Sequence, residues 1–406
     1  MKDPWNSIKN MGKLLLLAAA VGILSGAIDA LFGRVLLAVS AFRDDHISVL
    51  LPILPAAGLL IVLLYQTFSP LSQKGMTLVF EAGQNRRDAI PLPLIPLVMV
   101  GTWLTHLFGG SAGREGVAVQ IGGTLAHGLG RKFCTPAEQR VLLIAGMAAG
   151  FSGLFQTPLT AVFFALEVLI AGAMAYEALL PALLAAGLAC KTSALLGLGK
   201  FSAVLGGSAA LSDGRQLAAL VVLGLAFGLT GRYFSTGLQQ AKRIAGERMK
   251  NPYLRIGVGA IPLALVLFLL HTGRYCGLGT NLIQLSLSGG DIFPYDWLLK
   301  LLLTVWTLSL GFQGGEVTPL FAIGSALGAA LAPVLGLSPA LCAGLGYAAV
   351  FGSATNTLIA PMLIGLEVFG GESLPAFVLV CAIAYCVNGN RSIYGSQLIH
   401  GEQTAP

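Results

Sequence analysis

Residues 109–123 read GGSAGREGVAVQIGG and place an arginine and a glutamate, Arg114 and Glu115, among glycines in an otherwise apolar chain. Glycines lower helix propensity and let the backbone turn, whereas the run that follows, 117–129, has the pattern of a helix. A helix that begins near Glu115 presents unpaired N–H groups and the positive end of its dipole. The stretch therefore predicts an anion site at a helix start, beside a carboxylate.

The composition indicates an integral membrane protein. The 406 residues are 55% hydrophobic and only 10% charged, whereas soluble domains carry about 25% charged residues. Apolar stretches recur at 14–31, 49–65, 94–108, 217–230, 256–270 and 374–387. Several are near or below the roughly 20 residues that a straight spanning helix needs. We therefore expect tilted or broken helices that are covered by other parts of the protein.

Positive charge is concentrated in residues 239–255, where five lysines and arginines stand against one acid, Glu247. Short basic loops stay cytoplasmic, so this segment is predicted to be a cytoplasmic linker. Lys2, Lys9 and Lys13 favour the same side for the N-terminus, and the first apolar run, which lacks a clear cleavage site, is predicted to be a retained helix. A chain this apolar is not expected to bind nucleic acid. The six cysteines are scattered without metal-ligand spacing, so we predict no disulfide, metal or cofactor.

The chain contains an internal repeat. AAGFSGLFQTPLTAVFFALEVL from Ala148 matches AAVFGSATNTLIAPMLIGLEVF from Ala348, and GREGVAVQIGGTLAHGLG from Gly113 matches GEVTPLFAIGSALGAALA from Gly315. Two matches in the same order indicate a duplication, with halves 1–238 and 256–406 on either side of the linker. Transporters built from repeats bind substrate near the bilayer midplane, where helices break at the repeat interface.

Glu115 is the principal candidate for function. A carboxylate at a helix start competes with an anion for the same N–H groups, and protonation weakens its hold. Carboxylates at membrane depth are costly and often relay protons, so Glu115 is predicted to be both gate and proton carrier. The alternative is a glutamate that only caps a helix and pairs with Arg114. GFQGGEVTPLF, 311–321, repeats the arrangement in the second half, with Pro319 suited to a first helical turn, and Gly75 precedes a third such start.

GREGV at 113–117, GGEVTP at 314–319, FALEV at 164–168 and SIYGSQ at 392–397 resemble motifs of the CLC family of chloride channels and proton-coupled anion antiporters. The resemblance covers nearly the whole chain. It implies an all-α integral membrane protein with the CLC-type inverted-repeat fold of many tilted and broken helices. It also implies a homodimer in the lipid bilayer, each subunit with its own pathway. The chain stops at Pro406, soon after Tyr394, so no regulatory domain is expected to follow.

Two departures from the family pattern are similar to its fluoride branch. Where chloride-type members carry GSGIP, the chain has QKGMTLVFE, and Val117 replaces the proline of GREGP. The resemblance then implies a proton-coupled antiporter, not an enzyme, that exports fluoride from the cytoplasm and confers fluoride resistance. It implies a multi-pass protein of the inner (plasma) membrane with both termini cytoplasmic. The nearest alternatives are a chloride-selective antiporter of the family and a passive anion channel.

The resemblance also assigns individual residues. Glu115 would be the gating glutamate, Tyr394 the central tyrosine on the intracellular side of the ion site, and Met76 the replacement of the chloride-type serine. Phe80 could offer a partially positive ring edge, with ordinary packing as the alternative. The remaining positions expected along the anion path are Gly116, Val117, Glu316, Val317 and Thr318.

The usual inner proton relay of the chloride antiporters is missing. Glu167 matches the first glutamate of their FIIEE stretch, but Val168 replaces the second, which relays protons. Glu316 is our candidate for that task, and an exposed loop acid is the alternative. Glu167 and Glu367 occupy equivalent places in the two copies, so for both we expect a structural role, such as pairing with a neighbouring helix's backbone.

The sequence also allows the hypothesis that the protein is an enzyme. GGSAG at 109–113 matches the nucleophile signature G-x-S-x-G, so an intramembrane serine protease is an alternative. It needs a histidine within reach of Ser111, for which His271 is a candidate. It leaves the duplication unexplained, and a Ser111→Ala variant would separate the two, because a protease would lose its activity and an antiporter would keep transporting.

Overall fold

The computed structural model describes residues 4–207, 209 and 211–401. The two chain ends, including Lys2, lie outside the described residues, and so does the side chain of Lys9. The expected cytoplasmic position of the termini depends on these parts of the chain. The described chain is almost entirely helical, with a parallel pair of two-residue strands, β1 (Ile170–Ala171) and β2 (Leu398–Ile399). Its α-helices are α1 (Pro4–Asp45), α2 (Ile47–Leu50), α3 (Leu54–Phe68), α4 (Met76–Gly83), α5 (Leu94–Leu107), α6 (Glu115–Phe133), α7 (Pro136–Phe155), α8 (Pro158–Glu167), α9 (Leu179–Leu195), α10 (Gly214–Arg248), α11 (Pro252–Leu269), α12 (Thr280–Ser288), α13 (Asp296–Leu310), α14 (Val317–Leu335), α15 (Pro339–Thr355), α16 (Ile359–Phe369) and α17 (Leu374–Asn388). Short 3-10 helices occupy Leu51–Ile53, Pro70–Lys74 and Tyr176–Ala178.

The α-helices differ widely in length, from 4 to 42 residues, as the interrupted apolar pattern predicted. Within the described residues, six helical segments are long and apolar enough to cross a membrane: Asn10–Asp45, Ile47–Phe68, Tyr176–Leu195, Gly214–Arg248, Pro252–Leu269 and Val317–Leu335. Helices such as α4, of 8 residues, and α8, of 10, are too short to do so. Their free ends must find partners inside the protein, because lipid offers no hydrogen bonds.

The repeated sequences adopt repeated local structure. Helices α6 and α14 each have 19 residues, and α7 and α15 each end at a left-handed residue, Gln156 or Asn356. Positive φ is uncommon outside glycine, so its recurrence 200 residues later supports a common origin of the two segments. The division into halves 1–238 and 256–406 stays a prediction.

Glycines bring paired helices into contact in both copies. A Cβ added at Gly122 in α6 would overlap the carbonyl oxygen of Gly146 in α7, and one added at Gly324 in α14 would overlap that of Gly346 in α15. Small residues let helix backbones approach closely in membranes, where dispersion rather than the hydrophobic effect drives packing. The Ile-Gly pairs that align in the sequence repeat are therefore packing sites.

The basic segment 239–255 is mostly helical rather than a loop. Helix α10 continues to Arg248 and α11 begins at Pro252, which leaves three residues between them. Residues 239–248 favour a helix because most are good helix formers, and Arg243 lies 4.0 Å from Glu247 one turn on. Asn251 then caps α11 by accepting the N–H of Tyr253 at 2.9 Å. The segment is a sharp corner between two long helices.

Glu167 and Glu367 cap each other's helices, which confirms their predicted structural role. Glu167 ends α8 and accepts three N–H bonds at the start of α16, from residues 358–360, at 2.9 to 3.2 Å. Glu367, near the end of α16, accepts the N–H groups of Leu159 and Thr160 at the start of α8, at 3.1 and 2.8 Å. Each carboxylate thus satisfies free donors and faces the positive end of a helix dipole.

Replacing Glu167 with glutamine should lower the thermal unfolding temperature in detergent by several degrees. The amide keeps one acceptor but loses the charge that strengthens bonds to N–H groups, and such bonds are each worth about 1.5–3 kcal/mol. Glu367→Gln should have a smaller effect, since it makes two bonds and is less buried. The exposed Glu372 supplies the control variant Glu372→Gln. Equal unfolding temperatures for all three variants and the parent would contradict the capping role.

Candidate functional site

The site begins where the starts of α6 and α14 are tied together. Gly113 donates its N–H to the carbonyl of Gly315 at 2.6 Å, and Gly315 returns the same bond at 2.8 Å. A Cβ at Gly113 would lie 2.9 Å from the oxygen of Gly315, and a Cβ at Gly315 would lie 2.9 Å from the nitrogen of Gly116. Only glycine allows this approach, which places two helix N-termini from the two repeats side by side.

Glu115 occupies the donors at the start of α14. Its side chain is fully buried, and its Oε2 accepts the backbone N–H of Thr318 at 3.1 Å and the Thr318 hydroxyl. The other oxygen, Oε1, has no hydrogen-bond partner among the residues that the structure describes. The expected competition between carboxylate and anion therefore has a physical basis, because the donors that Glu115 uses are those an anion would use.

Arg114 accounts for little of this arrangement. Its Nε lies 3.6 Å from Oε1 of Glu115, beyond hydrogen-bond distance, and its buried Nε and Nη1 have no hydrogen-bond partner. The alternative was that Glu115 only caps a helix and pairs with Arg114, and the structure agrees with part of it. Glu115 does cap a helix, chiefly that of the other repeat through Thr318, while the N–H of Arg114 makes a longer bond of 3.4 Å to its Oε2 and the ion pair is loose.

A cavity of about 510 Å³ opens beside the two helix starts. Of the predicted site residues, four line it: Met76, Phe80, Glu316 and Tyr394. The other five lie in the buried region where α6 and α14 begin and do not line the cavity: Glu115, Gly116, Val117, Val317 and Thr318. The predicted residues thus divide into a cavity wall and a buried helix junction.

Tyr394 is held rigidly with its hydroxyl unpaired. Its N–H is donated to Ser392 Oγ at 3.1 Å, and the pairing of β2 with β1 fixes the segment that follows. Its ring packs against Phe80 with centroids 4.9 Å apart, as the packing alternative expects, and because Phe80 also lines the cavity, its ring-edge role stays a prediction. The buried Tyr394 Oη has no partner in the structure. Because buried polar atoms are nearly always paired, this hydroxyl is a candidate donor to a bound anion.

Glu316 is not an exposed loop acid. It precedes the first residue of α14, its side chain is only 14% exposed, and its Oε1 lies 3.3 Å from Lys242 Nζ. Lys74 and Arg255 also line the cavity. The cavity therefore has a positively charged wall containing one acid, which raises the local concentration of anions.

Several residues that line the cavity were not predicted from the sequence. Gln120 is 7% exposed, lines the cavity and has an unpaired Oε1. A single amide in the apolar run 117–126 was the signal that could have found it. Lys242 and Arg255 were recognised only as part of a basic segment. Their approach to Glu316 and to the cavity depends on the corner between α10 and α11, which the sequence pattern did not predict.

The serine protease constellation is not formed. Ser111 Oγ lies 2.9 Å from Thr304 Oγ1 and from Lys300 Nζ. The exposed His271 instead contacts Tyr295 Oη at 3.3 Å. The hydroxyl of Ser111 is thus engaged with Thr304 and Lys300 of α13, is fully buried, and has no histidine among its described hydrogen-bond partners.

The comparisons with known proteins agree with one another. The family model described as voltage gated chloride channel matches residues 57–389. A "Chloride/fluoride channel protein" of Pseudomonas syringae pv. tomato is 37% identical over 404 residues, covering 98% of this chain and 89% of the relative. The crystal structure of a CLC-type fluoride/proton antiporter is 54% identical, covers 96% of this chain and 98% of its own, and superposes with a TM-score of 0.94. A slow cyanobacterial Cl⁻/H⁺ antiporter, 22% identical over 94% of this chain and 96% of its own, shares the fold with a TM-score of 0.81.

A Tyr394→Phe variant should bind small anions more weakly, by about fivefold to tenfold, because it removes one donor worth roughly 1 kcal/mol or more. Calorimetric titration of the purified protein with fluoride and with chloride measures this. Tyr176→Phe, at an exposed tyrosine, is the control and should leave binding unchanged. Unaltered affinity in Tyr394→Phe would show that the unpaired hydroxyl does not contact the anion.

Proposed function

The chain belongs to the voltage-gated chloride channel (CLC) family, and from that premise we propose that it is a proton-coupled antiporter that exports fluoride from the cytoplasm. Membership confirms the resemblance of the motifs, the all-α integral membrane fold of the CLC type and a role in ion transport. The fluoride substrate and the proton coupling rest on the 54% identity to a fluoride/proton antiporter and on the chemistry of the site.

One observation carries the proposal: the Glu115 carboxylate occupies the N–H and hydroxyl of Thr318 at the start of α14. When ionised, Glu115 competes directly with an anion for these donors. When protonated, it loses the charge that strengthens its bonds and gives up the donors. Anion and proton occupancy are then linked at one group, which is the requirement for exchange of the two ions.

The cavity supplies fluoride with close donors. Fluoride is small and strongly hydrated, so a site must replace its water with N–H and O–H groups at short distance. Tyr394 Oη and the amides of the helix starts are such donors, whereas the partly buried Met76 offers none. We assign Met76 to selectivity, since a serine hydroxyl is absent where chloride-type members carry one.

Protons reach the cytoplasmic side through Glu316 in this proposal. Val168 is apolar and fully buried, and the Glu167 carboxylate is engaged by three N–H groups of α16. Glu316 lines the cavity and contacts Lys242. It is therefore the carboxylate that water in the cavity can reach.

The basic corner gives the proposed orientation. Lys242 and Arg255 flank it and line the cavity, and basic segments stay cytoplasmic, so the cavity opens to the cytoplasm. The inner (plasma) membrane, cytoplasmic termini and a homodimer with one pathway per subunit complete the proposal, and these follow from the family resemblance.

Purified protein in liposomes should release fluoride much faster than chloride, and a fluoride gradient should drive protons against their own gradient. Ion-selective electrodes and a pH-sensitive dye measure the two fluxes. A Glu115→Gln variant, which is always neutral, should lose the proton flux. Glu372→Gln is the matched control.

Equal release of the two halides would favour the chloride-selective alternative. Fluoride release without proton movement in the parent protein would favour the passive channel, in keeping with the name of the Pseudomonas relative. Proton-driven transport that persists in Glu115→Gln would contradict the role of Glu115.

Glu316→Gln should slow coupled turnover by about tenfold or more, because a positioned group commonly contributes 10²–10⁴ to proton transfer and water replaces it only in part. The initial rates of fluoride-driven proton uptake measure this. Glu247→Gln, at an acid that is 69% exposed on the same basic corner, is the control. A full rate in Glu316→Gln would reduce Glu316 to a structural cap of α14.

A further inference from the structure

A buried lysine lies behind the helix junction. Lys300 in α13 is fully buried, and its Nζ contacts three neutral oxygens: Ser111 Oγ at 2.9 Å, Tyr275 O at 3.1 Å and Gly277 O at 2.7 Å. Three acceptors match the three N–H bonds of a charged ammonium, whereas a neutral amine has only two. The site therefore offers one acceptor to each N–H bond of a protonated Lys300.

The charge of Lys300 has no carboxylate partner among the described residues. The nearest acid in α13, Asp296, is one turn earlier and is held by Arg274 at 2.6 and 3.0 Å and by the Tyr275 hydroxyl at 2.6 Å. On α1, Arg43 faces the same region and is paired with Asp44 at 2.6 Å. One positive charge therefore remains after every nearby ion pair is counted.

The other titratable groups around Lys300 do not neutralise it. On α5, His106 places its two ring nitrogens 2.9 Å from Thr102 O and 3.0 Å from Ala112 O. Cys276, in the segment before α12, is a buried free thiol. At the start of α6, the charge of Glu115 is opposed by that of Arg114, whose Nε lies 3.6 Å from Oε1. Burying an unpaired ammonium costs several kcal/mol, so its presence calls for an explanation.

Lys300 is tied to the strap 109–113 that precedes Glu115. Besides the bond from Lys300, Ser111 contacts Thr304 Oγ1 at 2.9 Å and donates its N–H to Thr307 Oγ1 at 3.2 Å. Gly277, which accepts from Lys300, also exchanges backbone bonds with Gly110 and Ala112, at 3.0 and 3.3 Å. The ammonium thus joins α13, the segment before α12 and the strap.

Lys300 also lies close to the donors that Glu115 uses. A Cβ built at Gly279 would be 3.3 Å from Lys300 Nζ and 2.8 Å from the Ala322 Cβ. Ala322 is one helical turn from Thr318 in α14, or about 6 Å. The charge is therefore on the order of 10 Å from the Glu115 carboxylate, through protein rather than water.

Lys300 does not line the cavity, whereas Leu308 and Ser309, near the other end of α13, do. Arg255 at the start of α11 lines the cavity, and the other end of this 18-residue helix leads into the segment 270–279 that contacts Lys300. The length of α11, about 27 Å, separates the two ends. A fixed positive charge beyond the helix starts draws an anion from the cavity toward their amides.

We infer that Lys300 is a positioning residue whose fixed charge, held against the strap 109–113, favours an anion or an ionised Glu115 at the junction of α6 and α14. The inference rests on the proposed fluoride/proton exchange. In this inference, Lys300 attracts the anion electrostatically from a distance, whereas the amides at the helix starts attract it by direct contact. Removing the charge disfavours both the anion and the ionised carboxylate.

The test compares Lys300→Met, which removes the charge at similar volume, with Ser111→Ala, which removes one bond and keeps the charge. At an effective dielectric constant of about 20, a unit charge at roughly 10 Å shifts a protonation equilibrium by about one pH unit. Lys300→Met should raise the half-saturating fluoride concentration about tenfold. It should also move the alkaline limit of transport about one pH unit higher, because Glu115 then keeps its proton to higher pH.

Ser111→Ala should keep its half-saturating fluoride concentration within about twofold of the parent value. The pH limit of its transport should stay within about 0.3 units of the parent's. Lys132→Met, at an exposed lysine in the last turn of α6, is the control for loss of a cation. The inference is overturned if Lys300→Met has the parent's pH profile and half-saturating fluoride concentration, even at a lower maximal rate. A merely structural role would change only the maximal rate.

If Lys300→Met does not fold, Ser111→Asp places a carboxylate beside the ammonium and neutralises it in place. It must reproduce the alkaline shift, and a parental profile in that variant overturns the inference. Failure of the proposed function is distinguishable, because it appears in the parent protein as an absence of fluoride-driven proton movement.

Discussion

The mutual hydrogen bonds between Gly113 and Gly315 are the constraint on which the rest of the site depends. Two helices whose N-termini meet bring together eight N–H groups that have no partner within their own helices. A buried N–H without a partner is costly. Bringing the starts of α6 and α14 together therefore creates a demand for negative charge. Gly113 and Gly315 satisfy only each other's N–H groups, just before the two helices, so an acceptor of another kind must meet the demand of the helix starts.

Glu115 meets that demand from the opposite repeat. It belongs to α6 but accepts from Thr318 of α14, so the two halves of the chain share one capping interaction. Glu167 and Glu367 solve the same problem at α16 and α8 with carboxylates that keep their partners. The difference lies in the surroundings: Glu115 has an oxygen without a hydrogen bond and lies next to a cavity, whereas both oxygens of Glu167 and of Glu367 are bound. A cap can serve as a gate only where its donors have an alternative acceptor.

Much of this was predictable from the sequence, and the reasons are physical. The glycines around Glu115 and Glu316 mark helix starts because local propensity decides them. The aligned LEV segments predicted a structural role for both Glu167 and Glu367 because the repeat relates equivalent positions, but not that each caps the other's helix. The approach of Lys242 to Glu316, the burial of Lys300 and the unpaired hydroxyl of Tyr394 could not be predicted. Each depends on how distant helices pack, and a lysine in a long apolar helix has the same local pattern whether it faces lipid headgroups or the protein interior. The corner at 249–251 was missed because the charge of that segment was taken as a sign of a loop, although lysine, arginine and glutamate also favour helices.

The distribution of charge then explains why the site does not trap its anion. A full cation in contact with the ion would hold it by several kcal/mol in a low-dielectric setting, and exchange would be slow. At the junction, the hydrogen bonds to Glu115 come from amides and a hydroxyl, which carry only partial charges, and the Arg114 guanidinium lies 3.6 Å from Oε1 without a hydrogen bond among the described residues. Lys300 is behind the strap, and Lys242 and Arg255 are at the cavity wall. Long-range attraction combined with weak direct contacts lets the same donors bind either a carboxylate or an anion. Protonation of the carboxylate is then enough to determine which of the two is bound.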